Sequence, residues 1–145
     1  MEKTSFTYLR DLDFSRKLIE TAKNRQRYNM PLTREAIIDD TLKCRPESYY
    51  LSTDNACVAL RRLLNSDYIK LNVVSPNPER QRFWIDLYKK VYGYRHRHPD
   101  STFDDAVSFV LNFSRPDRFY ISKNKALKLF AKAFAKKPTY VPRNL

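Results

Sequence analysis

The sequence predicts an all-α fold: two pseudo-repeated three-helix units of helix-turn-helix-like layout, packed as one body. Three observations predict it. Arg45-Pro46-Glu47-Ser48-Tyr49-Tyr50-Leu51-Ser52 returns at an offset of 70 as Arg115-Pro116-Asp117-Arg118-Phe119-Tyr120-Ile121-Ser122. The 145-residue chain holds a single glycine, whereas tight β-turns and barrel corners draw on glycine for positive φ. Apolar residues recur at helical spacing behind cap-type residues.

The echo reaches beyond its core. Ala56 and Ala126 also match, and Glu35-Ala36-Ile37 lies opposite Asp105-Ala106-Val107. Chance would give about one identity over such a window at average residue usage, so the chain reads as one unit written twice. Units of about 65 residues are marginal alone, which predicts a shared core. The expected division is 1–74, 75–136 and an extended basic tail over 137–145.

The first helix is expected from Asp13 to Arg27, with Phe14, Leu18, Ile19 and Ala22 on its apolar face. Thr33 caps a second over Arg34 to Lys43, with Ile37, Ile38 and Leu42 inward. Arg45-Pro46 stops it, because a residue before proline disfavours the α region. The bulky Tyr49-Tyr50-Leu51 then reads as extended. Ser52 caps a third helix from Thr53 to Leu64, with Ala56, Ala59, Leu60, Leu63 and Leu64 buried. Asp67 to Val74 reads as a short strand or packed linker, and Ser75-Pro76-Asn77-Pro78 as a break.

The second unit follows the same order. Asn77 and Pro78 start a helix to Tyr92, carrying Phe83, Trp84, Leu87, Tyr88 and Val91. Gly93 is placed as its left-handed C-terminal residue, which makes Arg95-His96-Arg97-His98 a loop. Thr102 or Ser101 caps Phe103 to Phe113, with Asp104 and Asp105 suiting the positive end of the helix. Ser122 caps Lys123 to Lys136, with Leu127, Phe130, Ala133 and Phe134 buried.

Charge points to function. The formal net charge is +12, and residues 71–145 carry most of it, with 15 Lys/Arg against 6 Asp/Glu. Such an excess favours a polyanionic partner, nucleic acid first. The candidate reading helix opens with Lys123-Asn124-Lys125, and Lys125, Lys128, Lys132 and Lys136 share one face. Asn124 could pair with adenine, while the lysines suit phosphates. Arg80, Arg82, Arg95, Arg97, Arg115 and Arg118 extend the basic set. For Arg45 and Arg115 the first expectation is structural: each bonds the C-terminal carbonyls of the helix before it, with a phosphate contact as the alternative.

Other classes are disfavoured. One glycine excludes glycine-rich phosphate loops. No nucleophile elbow and no histidine–acid pairing marks a catalytic site, so no enzyme is predicted. Cys44, Cys57, His96 and His98 do not form a ligand set, so no metal and no cofactor is predicted. Neither a signal peptide nor a membrane span is read, which predicts a cytoplasmic or particle-enclosed protein.

The repeated segment, an acidic-start helix, Arg-Pro-x-x-aromatic-Tyr-aliphatic-Ser and a further helix, resembles a group of small, basic, mostly uncharacterised proteins. They are encoded by phages and mobile elements of gut bacteria and carry a Pro-x-x-Phe-Tyr-Val-Ser-like core. The resemblance covers about 35–65 and 105–135 and implies a setting, not residue roles. The expected function is non-enzymatic nucleic-acid binding, DNA over RNA. The alternative is a phage structural or assembly protein that contacts protein neighbours or further copies of itself.

Overall fold

The structure, a computed structural model, describes residues 5–64 and 77–135, the side chains at 63 and 64 excepted. Lys136, the segment 67–74, the tail 137–145 and the Leu63 and Leu64 side chains therefore lie outside the described residues. Those described form helices and no strand: α1 Phe6–Arg27, α2 Arg34–Leu42, α3 Thr53–Leu64, α4 Pro78–Arg97, α5 Phe103–Phe113 and α6 Lys123–Ala135. The fold is all-α and a single body.

The caps act as their chemistry dictates. Thr33, Asn77 and Thr102 accept the backbone N–H three residues on, at 3.1, 3.0 and 3.1 Å. Ser52 and Ser122 do the same for Asn55 and Lys125, both at 3.2 Å. Each cap satisfies one of the N–H groups that a helix start leaves orphaned. α1 starts earlier than Asp13, because Ser5 accepts the Tyr8 N–H at 3.0 Å. Its far end is a Schellman closure. Met30 N–H reaches Arg25 O at 2.8 Å, Asn29 N–H reaches Gln26 O at 3.2 Å, and Asn29 sits at φ 56°.

Two expectations about backbone need correction. Gly93 does not end a helix: α4 runs through it to Arg97, and no described glycine has positive φ. Rings one turn apart sustain the extra turn. Tyr88 stacks on Tyr92 and Tyr92 on His96, with centroids 6.3 and 6.5 Å apart. Arg95, His96 and Arg97 are thus helical. Nor is Tyr49-Tyr50-Leu51 simply extended, since Tyr50 adopts φ 52°. The Ser48 hydroxyl accepts the Tyr50 N–H at 2.9 Å, and the Tyr50 ring turns back toward α1.

The packing crosses the expected division. α1 packs on α2 and on α6, and α2 also meets α6; α4 packs on α5, and α5 on α3. One core joins Phe14, Leu18, Ile37 and Ile38 to Phe119, Ile121, Ala126 and Leu129. The other joins Phe83, Trp84, Leu87, Val91, Ala106, Val107 and Val110 to Tyr49, Ala56, Cys57 and Leu60. The third helix of each expected unit therefore packs into the core formed by the other's first two helices. In α6 it is Ala126 and Leu129 that are buried; Leu127, Phe130, Ala133 and Phe134 pack at the margin.

Helix-turn-helix geometry does not form, because neither α2–α3 nor α5–α6 is a packed pair. The cause lies in the two Arg-Pro segments, which carry the chain across instead of folding it back. Arg45 donates from Nε to Pro116 O at 3.1 Å and from Nη2 to Arg115 O at 2.8 Å. Arg115 donates from Nε to Pro46 O at 2.7 Å and from Nη2 to Arg45 O at 2.9 Å. Each arginine thus bonds the opposite segment's carbonyls, not those of its own preceding helix. Proline fixes φ beside them, and Phe119 fills the crossing edge-on to Phe14, with centroids 5.1 Å apart.

Candidate nucleic-acid interface

α6 is held against α1 and α2 by Ala126 and Leu129, which turns its lysines outward. Lys128, Lys132 and Asn124 are exposed, and Lys125 is half-buried. Lys125, Lys128 and Lys132 follow at one-turn spacing along a single face. Lys123 pairs with Asp39 at 2.9 Å and Lys125 with Asp11 at 3.1 Å. Lys128 and Lys132 have no carboxylate partner among the described residues.

The arginines divide by what they touch. The guanidinium of Arg115 is engaged by Pro46 O, Arg45 O and Glu47, so its part is in the crossing. Glu79 takes Arg82 at 2.8 Å and Arg118 at 3.3 Å. Arg95 and Arg97 are exposed at the far end of α4, with Arg95 over the Phe103 ring at 5.8 Å. The structure thus brings Arg80 and Lys125 together, and places Arg95 and Arg97 at the other end of a 20-residue helix.

Arg80 differs from the rest. It lies over Phe83 at 4.2 Å and Trp84 at 5.2 Å, a cation–π seat. Among the described residues it has no carboxylate partner, and its guanidinium donates no hydrogen bond. Burial pulls its pKa down from the ordinary arginine value, and the charge of Arg10 adds to that; arginine stays protonated regardless. Beside it opens a cavity of about 270 Å3 lined by Arg10, Asn77, Arg80, Tyr120, Ser122 and Lys125, with Ile121. Asn77 and Ser122 are the caps of α4 and α6, so the starts of both helices lie beside this space. Arg10, absent from the sequence-predicted set, joins through α1 because the packing is crossed.

Two acids also escaped sequence reasoning. Asp86 accepts the Tyr49 hydroxyl at 2.6 Å, the Tyr120 hydroxyl at 2.7 Å, Lys90 Nζ at 2.8 Å and the Asp117 N–H at 2.9 Å. Asp13 accepts Lys17 Nζ at 2.7 Å and the Glu47 N–H and Tyr50 hydroxyl at 2.8 Å each. Both tie an Arg-Pro segment to a long helix. Desolvation pushes the Asp86 carboxyl up, but the Asp117 N–H, Lys90 and the two hydroxyls outweigh it and hold it below the usual carboxylate range. Burial first, and Asp86 second, pushes the Tyr49 and Tyr120 hydroxyls far above the ordinary tyrosine value. The available signal was Asp-x3-Lys on the apolar side of both long helices, Asp13/Lys17 and Asp86/Lys90.

A second exposed surface is aromatic. Phe113 is 76% exposed and Tyr92 61%. Tyr94, Phe109 and Phe113 stack in sequence at 4.5 and 4.9 Å. Among the described residues no His/Cys/Asp/Glu group could hold a metal ion, and no helix is long and apolar enough to cross a membrane. Comparison with protein-family models, curated proteins and solved structures finds no match.

Proposed function

We propose that this chain is a non-enzymatic nucleic-acid-binding protein of phage or mobile-element origin that grips duplex DNA through one basic face. The single observation that carries the reading is the uncompensated charge beside and along α6: Arg80 without a carboxylate among the described residues, and Lys128 and Lys132, which continue the face that Lys125 begins. Lysines along a helix meet phosphates and supply affinity more than sequence choice. An exposed helix suits the roughly 12 Å major groove of B-DNA, whereas the A-form major groove is too narrow for side chains. Asn124, exposed in the first turn of α6, is the candidate for a base edge. The phage or mobile-element setting rests on the Arg-Pro segments' resemblance alone.

The test is fluorescence anisotropy with a labelled duplex at low salt. Binding is expected, and Lys128→Glu with Lys132→Glu should weaken it more than tenfold. Absence of binding at 50 mM salt would overturn the reading. The exposed Phe109 and Phe113, which continue a row from the half-buried Tyr94, favour a second reading, assembly with protein neighbours in a phage particle. Light scattering distinguishes it: discrete oligomers that Phe113→Ser dissolves would support assembly.

A further inference from the structure

We propose that the cavity between the N-termini of α4 and α6 binds a phosphomonoester dianion, the terminal phosphate of a nucleic-acid strand. The assignment deepens the nucleic-acid reading and rests on it for the source of the phosphate. The cations at the cavity are Arg10, Arg80 and Lys125. Asp11 is the one carboxylate paired with any of them among the described residues, bonding Arg10 at 2.9 Å and Lys125 at 3.1 Å. The local balance is therefore two positive charges. A terminal phosphate carries −1.5 to about −2 near neutral pH, with three free oxygens. A phosphodiester inside a strand carries one charge and is flanked on both sides.

Geometry favours the same group. The rings of Phe83 and Trp84 hold the guanidinium of Arg80, whose donors lie in its plane and have no described partner. A planar fork of that kind matches phosphate oxygens two at a time. The caps Asn77 and Ser122 both line this space, so the positive ends of two helices lie beside it and favour an anion. The space, about 270 Å3, is concave. It admits a group that projects from a chain end more readily than one within a smooth backbone.

The experiment compares duplexes of one sequence with 5′-phosphate or 5′-hydroxyl ends, alongside calorimetric titration with inorganic phosphate and with a phosphoserine peptide. The phosphorylated duplex should bind about tenfold tighter, and inorganic phosphate should bind detectably. Arg80→Gln should erase both effects. Lys125→Gln, at a half-buried site that leaves the Ser122 cap in place, should reduce the end preference and guards against Arg80→Gln failing to fold. Equal affinity for both ends, or a preference that survives both variants, would overturn the inference while leaving duplex binding intact. Phosphate binding that depends on Arg80 with no duplex binding would keep the cavity and sink the nucleic-acid reading. A phosphopeptide bound as tightly as the phosphorylated end would overturn the assigned source.

Discussion

Arg45 and Arg115 hold each other's main chain: each donates from Nη2 to the other's carbonyl oxygen, at 2.8 and 2.9 Å, and from Nε to the other's following proline. This reciprocal grip sits where the chain crosses between the two cores. It holds α3 in the core of α4 and α5, and α6 in the core of α1 and α2.

Arg45→Ala and Arg115→Ala should each cost about 1–2 kcal/mol, because charged donors to carbonyls are strong but these side chains are about half exposed. Lysine should recover less than half of the loss, lacking the fork. Hydrogen exchange should show protection falling in both cores for either variant. A loss confined to one core would contradict the crossing.

Asp86→Asn should destabilise by about 3 kcal/mol, the scale of breaking a buried pair. Asp13→Asn should cost less, since Asp13 holds three donors and Asp86 holds four. Urea midpoints of the two variants check the order.

The same acid predicts a pH dependence. Its folded pKa lies below the unfolded value, so its contribution is fully present above about pH 4 and is lost as pH falls through the folded pKa. Glu47, lowered by the Lys17 hydrogen bond and charge and by Arg115, adds in the same direction. Wild-type stability should fall between pH 5 and pH 2, and Asp86→Asn should flatten that fall, as read from urea midpoints across the range.

Gly93 lies inside α4, and a Cβ there would meet only Arg97 Nη1 at 3.4 Å, the far end of a flexible side chain. Gly93→Ala should therefore stabilise by about 0.5–1 kcal/mol through helix propensity. Thermal unfolding checks it; a loss of stability would mean that the backbone needs the open space.

How much was legible follows from these residues. Thr33, Asn77, Ser52 and Ser122 were readable because a cap is local chemistry. Gly93 misled because a lone glycine past an apolar stripe is the usual stop signal, and nothing in composition weighs the ring stack from Tyr88 to His96 against it. The crossing was not readable at all. The pattern at Ala126 and Leu129 says which side of α6 is buried, not which helix buries it. Asp13 and Asp86 escaped because they are 73 positions apart, not 70, and because an acid beside Phe14 or Leu87 reads as a surface charge. The lysine stripe on α6 was visible. Arg10, brought in by the crossing, was not.

If one basic face meets phosphates, duplex binding must release counterions and weaken with salt. For wild type, log affinity should fall steeply and linearly with log salt. Neutralising Lys125, Lys128 and Lys132 together to glutamine should lower the slope by about 2.7, at roughly 0.9 per phosphate contact. An unchanged slope in the triple variant would contradict the account.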